Sequence, residues 1–181
     1  LYSGQMCTAP QNIYVPRGGI RAAHGTLSFD EVAQAIAGAV QKLVADPARA
    51  VDLLGAIQND GVIRRIEEAD QLGRVLVESQ ALEHPTFAGA RVRTPLLLQL
   101  DAAHDHASFT KEWFGPISFV IATDSTAQSL DLAGAIAADL SGYGDLRDLY
   151  TQAGNYVAGA EVDTTTVALA AVGLTLTVAT V

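Results

Sequence analysis

The chain has 181 residues, 49% of them hydrophobic, with 11 Lys and Arg against 20 Asp and Glu for a formal net charge of −9. That apolar content supports a real core and excludes a disordered chain, and the length suits one domain or one large lobe of a bigger enzyme. The acidic balance leaves no basic patch to replace phosphate counterions, which argues against nucleic acid as a partner.

The chain opens on Leu1 and Tyr2, which read as the end of an apolar element, so a preceding segment is expected. No charged region leads into an apolar one there, and no signal peptide is expected. A polar segment around Cys7 follows, then Asn12-Ile13-Tyr14-Val15, whose β-branched and aromatic residues predict a short strand. Pro16-Arg17-Gly18-Gly19 predicts a turn; it is too short for a phosphate-binding loop. Residues 28–46 predict a helix. Ser28 and Glu31 have capping-box spacing, and Val32, Ile36, Val40 and Leu43 mark its buried face. Pro47 opens the next helix or ends the first, and Gly55 closes the second. A third helix, capped by Asn59 or Asp60, buries Val62, Ile63, Ile66, Ala69 and Leu72. Arg64, Arg65, Glu67 and Glu68 form its wet face, and Gly73 is expected as the residue just past its end.

A strand follows at residues 74–78, and the helix–Gly–strand junction points to layered α/β structure. Residues 91–101 predict one long strand, with Pro95 placing that end at an edge or bulge. Residues 117–123 are apolar almost throughout, which predicts a strand buried on both faces of a parallel sheet. A fourth helix starts at Asp124 or Ser125 and turns Leu130, Leu132, Ala133, Ile136 and Ala137 inward. Signals are weak over residues 140–160, and residues 164–181 read as β with a break at Gly173. The apolar tract at 167–181 is too short and too polar for a membrane span.

Two stretches carry chemistry. Ser3-Gly4-Gln5-Met6-Cys7-Thr8 holds the only cysteine, so no internal disulfide can form, which fits a reducing, cytoplasmic setting. A thiol attacks as thiolate, a state promoted by a helix N-terminus, backbone N–H groups or a cation. An attacked carbonyl needs N–H donors for its oxyanion, and the nucleophile's own turn can supply one. Gly4 permits a tight approach and Gln5 can pin the segment. A lone cysteine is equally read as a buried, inert thiol. The second stretch is Lys111-Glu112-Trp113-Phe114-Gly115-Pro116. By itself Glu112 reads as a solvated loop carboxylate, and Trp113 as a residue that packs the loop. His104-Asp105-His106 lacks a third ligand and reads as a solvated loop, so no metal site is expected. His24 and His84 read as surface residues.

Gly4-Gln5-Met6-Cys7 resembles the nucleophile motif of the aldehyde dehydrogenase superfamily, and Glu112-Trp113-Phe114-Gly115-Pro116 resembles its Glu-x-Phe-Gly-Pro signature, in the same order. The resemblance covers residues 1–138 and is greatest to the aldehyde dehydrogenases of bacterial phenylacetate degradation. It implies an α/β catalytic domain with a mostly parallel sheet and helices on both faces, and residues 139–181 as its divergent end. It further implies that Cys7 adds to an aldehyde, that hydride passes to NAD or NADP, and that the resulting thioester is then resolved. Glu112 matches the glutamate that binds the nicotinamide ribose and Phe114 the aromatic beside the nicotinamide, while Gly115 and Pro116 shape the turn. The family's cofactor-binding domain, its deacylating glutamate and its oxyanion asparagine lie upstream of the nucleophile. The implied substrate is an aldehyde, CoA-linked semialdehydes included, and the implied assembly is a homo-oligomer. Two other readings stand beside it: a non-catalytic fold remnant or oligomerisation fragment, and a thiol acyl-transfer enzyme, which has no use for a ribose ligand.

Overall fold

The structure is a computed structural model that describes residues 2–5, 10–23, 25–140 and 152. The chain divides into two compact units, Leu1–Ser129 and Leu130–Val181. The β segment expected at residues 164–181 lies outside the described residues, as do His24 and the weakly marked stretch from residue 141 on, Gln152 excepted. In chain order the strands are β1 (Asn12–Pro16), β2 (Ile20–Ala22), β3 (Gly25–Leu27), β4 (Arg74–Val77), β5 (Ala81–Leu82), β6 (Val92–Arg93), β7 (Leu96–Asp101) and β8 (Ile117–Thr123). The helices are α1 (Phe29–Leu43), α2 (Pro47–Leu54), α3 (Asp60–Ala69), α4 (His106–Phe109) and α5 (Thr126–Leu140).

The largely apolar β8 lies with β7 in the middle of a four-stranded sheet in the order β1-β8-β7-β4. β1 and β7 both pair with β8 in parallel, and β4 pairs with β7 antiparallel. Side chains alternate between the two faces. On one face Val15, Leu97, Val120 and Ala122 pack with Phe29, Val32, Ala33 and Ala37 of α1. Leu98, Leu100, Phe119 and Ile121 point the other way and are also buried. Tyr14 shares that second face, and its ring meets the buried Phe109 of α4 edge-on at 6.0 Å. Helices therefore cover both faces of a mostly parallel sheet, as expected. Burial of Tyr14 pushes its phenol pKa up, against a smaller opposing effect of the Asn12 hydrogen bond.

Four expectations need correction. Helix α1 starts at the Ser28 capping box, with both of its hydrogen bonds to Glu31 in place, but it stops at Leu43 because Asp46 instead caps α2. Its buried line runs through Phe29, Ala33 and Ala37 together with Val32, while Leu43 is exposed. The small alanines let the helix lie close to the sheet, which the search for large apolar residues passed over. Helix α3 ends at Ala69, with Asp70 rather than Gly73 at its cap. Gly73 has another duty: a Cβ there would sit 2.5 Å from the Gln99 carbonyl and from Leu100 Cδ2. The predicted strand over 91–101 is two strands. β6 pairs with β5 in a separate ribbon, and the chain changes sheet at Thr94-Pro95, so Pro95 falls between ladders. Finally, Leu130 of α5 is exposed rather than inward, as is Ala133. The hairpin β2–β3 was not anticipated; its residues are exposed and give no alternating apolar signal.

One ion network joins the carboxyl ends of the three parallel strands. Arg17, just past β1, reaches Asp101 at the end of β7 at 2.5 Å and Asp124 past β8 at 3.2 Å. Its backbone N–H also donates to the Thr123 carbonyl at 2.7 Å. The Arg17 guanidinium, followed by the Ala103 N–H, holds the Asp101 carboxyl below its usual range.

Because that pKa is lower in the folded chain, Asp101 contributes fully above its unfolded value of about 3.9 and loses its contribution as pH falls through the folded value. Asp101→Asn should therefore lower the urea midpoint at neutral pH, and its deficit should close in acid. A deficit that persists unchanged at acid pH would show that the charge is not the stabilising feature. Gly73→Ala should cost about 1–3 kcal/mol, the range for a core forced to overpack. Wild-type stability for that variant would show that β7 yields at Gln99.

Candidate active site

Where the two motif stretches meet, neither backbone has room for a side chain. Gly4 has φ +61°, and a Cβ on it would lie 2.1 Å from the Gly115 carbonyl oxygen. Gly115 itself has φ +151°, and Val62 Cγ1 of α3 stands 2.9 Å from its own absent Cβ. A left-handed backbone is strained for any residue with a Cβ. The preceding Ser3 nevertheless has φ 54° and is almost wholly buried. Its hydroxyl compensates in part by donating to the Leu54 carbonyl at 3.1 Å, with the Gly55 carbonyl at 3.2 Å. Gln5 pins the same turn from the other side. Its Nε2 donates to the Ala56 carbonyl at 3.1 Å, and its Oε1 accepts from the Gln58 N–H at 3.0 Å. The segment after α2 is thus the seat on which residues 3–5 rest.

Cys7, with Met6, Thr8 and Ala9, lies outside the described residues. Its described neighbours on both sides, Gly4 and Pro10, line a cavity of about 240 Å³. Glu112, Phe114, Gly115 and Pro116 line the same cavity, so the structure brings the flanks of the nucleophile motif and the second signature to one place. The Glu112 side chain is exposed and Phe114 is half-buried. Trp113 turns inward, 5% exposed, and its indole N–H donates to the Ser108 carbonyl at 2.7 Å; it packs the loop. The Lys111 ammonium lies over the Trp113 ring, 4.2 Å from its centre.

Two supporting residues escaped the sequence reading. Helical spacing puts Arg65 on the wet face of α3, yet its Nε donates to the Phe114 carbonyl at 2.8 Å and its guanidinium lies 6.0 Å from the Phe114 ring centre. Helical periodicity cannot separate a solvated arginine from one that reaches back over a loop. Gln11 lies just beyond the cysteine segment, where only its closeness to Cys7 could have drawn notice. Its side chain accepts from the Trp113 N–H at 2.7 Å and donates to the Lys111 carbonyl at 3.0 Å. Among the described residues no group of three or more His, Cys, Asp or Glu is placed to hold a metal ion. His104 and Asp105 instead brace the end of β7, the first 3.6 Å from Asp101 and the second accepting from the Asp101 N–H at 2.7 Å.

A family model for aldehyde dehydrogenases matches residues 1–144. The chain belongs to the aldehyde dehydrogenase family. It is similar to a crystal structure of an NAD-dependent aldehyde dehydrogenase from Burkholderia multivorans, with 77% identity and a TM-score of 0.73 over 76% of this chain and 24% of that one. It is also 26% identical over 157 residues to the lactaldehyde dehydrogenase of Escherichia coli (strain K12), a match to 83% of this chain and 29% of that protein. The chain thus spans less than a third of the length of either aldehyde dehydrogenase.

Gly4→Ala tests whether the backbone contact holds the cavity together. The strained φ and the overlap with the Gly115 carbonyl should together cost on the order of 2–5 kcal/mol. Thermal unfolding of the variant would measure it, and a loss well under that range would mean the two turns can part without penalty.

Proposed function

We propose that the chain is the catalytic-domain portion of an NAD(P)-dependent aldehyde dehydrogenase, with residues 1–138 as that domain and 139–181 as its divergent end. The observation that carries this reading is the shared cavity, on whose wall the flanks of Cys7 and the Glu112–Pro116 signature converge. Cys7 is the proposed nucleophile. As thiolate it adds to the aldehyde carbon, and the carbonyl oxygen becomes the oxyanion of a thiohemiacetal held in part by the Cys7 backbone N–H.

The residues present fit a nicotinamide dinucleotide. Glu112 offers an exposed carboxylate, an acceptor for ribose hydroxyls, and Phe114 offers an aromatic face on the same rim. The cavity of about 240 Å³ falls below the roughly 300–1,000 Å³ of pockets for drug-sized ligands, so it accepts one end of a dinucleotide. A bound dinucleotide would supply the hydride acceptor for the thiohemiacetal, whose carbon would stay on the Cys7 sulfur as a thioester. Water then takes the acyl group as the free acid, or another acceptor takes it as that acceptor's acyl derivative, and the thiol returns. Arg65 and Gln11 hold the loop that bears Glu112 and Phe114, while Gly4 and Gln5 set the approach to Cys7.

The finer assignments extend the resemblance. The substrate is an aldehyde of phenylacetate or other aromatic-acid catabolism, CoA-linked semialdehydes included. The setting is the cytoplasm and the working assembly a homo-oligomer.

In the full-length protein, Cys7→Ser should lower NAD(P)-dependent aldehyde oxidation by more than about 1,000-fold and leave dinucleotide binding intact. Absorbance of the reduced cofactor measures the first and calorimetry the second. Alkylation of the wild-type thiol should reach its midpoint below the free-thiol value of about 8.5. Full activity in the Cys7→Ser variant would remove Cys7 from the reaction.

A further inference from the structure

Gln11 brackets Glu112. The amide oxygen takes the N–H of the residue after Glu112, and the amide nitrogen gives a proton to the carbonyl of the residue before it. One side chain therefore reproduces both halves of a strand-like pairing and fixes the peptide units on either side of the glutamate. Gln11 is itself fixed: its own carbonyl accepts from the Phe119 N–H at 2.8 Å, where β1 joins β8. The same Nε2 lies 3.3 Å from Asn12 Oδ1 and 3.4 Å from the Phe109 carbonyl. Asn12 also donates to the Phe109 carbonyl, at 2.8 Å. At neutral pH no other side chain of that length offers a donor and an acceptor in one plane. A residue four positions beyond the nucleophile thus sets the backbone of the residue proposed to hold the cofactor.

We infer that Gln11 is a positioning residue for Glu112, so that dinucleotide affinity depends on the segment that bears the nucleophile. This rests on the ribose role proposed above for Glu112. Gln11 touches no reacting atom in this scheme; it acts through the 111–113 backbone.

The test is a double-variant cycle in the full-length protein, read as KM for NAD or NADP, with Cys7 alkylation in the absence of cofactor as a second readout. Gln11→Leu should raise the cofactor KM about tenfold, the scale of hydrogen bonds lost at a half-buried backbone, and should leave alkylation within about twofold. Glu112→Ala should also raise KM, and the double variant should be no worse than Glu112→Ala alone, because both changes remove one interaction. Effects that multiply would overturn the inference, as would alkylation falling in step with cofactor binding. If Gln11→Leu does not fold, Gln11→Glu carries the test. Its carboxylate keeps the acceptor for the Trp113 N–H but faces the Lys111 carbonyl without a proton. Its KM should exceed that of wild type at neutral pH and approach it as acid restores the proton; a ratio independent of pH would overturn the inference. If Glu112→Ala leaves the KM of an active wild type unchanged, the ribose role fails and the inference with it. If Glu112→Ala raises KM and Gln11→Leu does not, the inference alone fails.

Discussion

The closest constraint on this molecule is the approach of two backbones, at Gly4 and Gly115. The Gly115 carbonyl occupies the place where any side chain on residue 4 would have to be. Everything around the cavity accommodates that approach. Ser3 accepts an unusual φ and anchors its hydroxyl to the end of α2. Gln5 grips the residues that follow α2, and Val62 of α3 lies against the open side of Gly115. Two of these supports rest on the one segment that ends α2 and the third comes from α3, so the two turns are held from two sides. Glycine is required here by space as well as by torsion, which is a stronger demand than a turn alone makes.

The sheet gives its two ends different tasks. At the carboxyl ends of β1, β7 and β8, Arg17 ties three chain segments together with two carboxylates and a backbone bond. Open α/β sheets commonly place ligands outside that end. The candidate site instead lies at the amino ends of the same strands, where Pro10, Pro95 and Pro116 stand just before β1, β7 and β8 and line the cavity. Proline has no N–H, so its use at these positions leaves no unpaired donor there. The N–H groups that follow Pro95 and Pro116 are engaged: Leu96 donates to the Pro116 carbonyl, and Ile117 to the Gly115 carbonyl.

Much of this was legible from residues alone. The Ser28–Glu31 cap, the close of α2 at Gly55 and the start of α3 at Asn59 are local signals that local hydrogen bonds bear out, and the largely apolar stretch 117–123 is the strand it suggests. The two motif stretches could be assigned to one site because their residue types are specialised and their order fits a family. What escaped notice depends on contacts distant in sequence. Gly73 looks like a helix terminator until Gln99 is placed beside it. Arg65 looks solvated until the Phe114 carbonyl lies within reach, and Gln11 has no pattern of its own. The split at Thr94-Pro95 is similar. Composition favours one strand, but Thr94 is drawn to Ser79 and Gln80, whose bonds to its backbone and hydroxyl lead the chain into a second ribbon.

The Gln11 side chain bonds to a residue 102 positions further along the chain. Contacts of that span form only after the intervening polypeptide exists and has closed a large loop. During synthesis at about 5–20 residues per second, the cysteine-bearing segment waits roughly 5–20 s for the partner loop to be made. Through that interval the Gln11 amide has no partner loop, and the hydrogen bonds that later hold Lys111 and Trp113 do not yet exist. Gln11 is therefore made early in this region and tied down late.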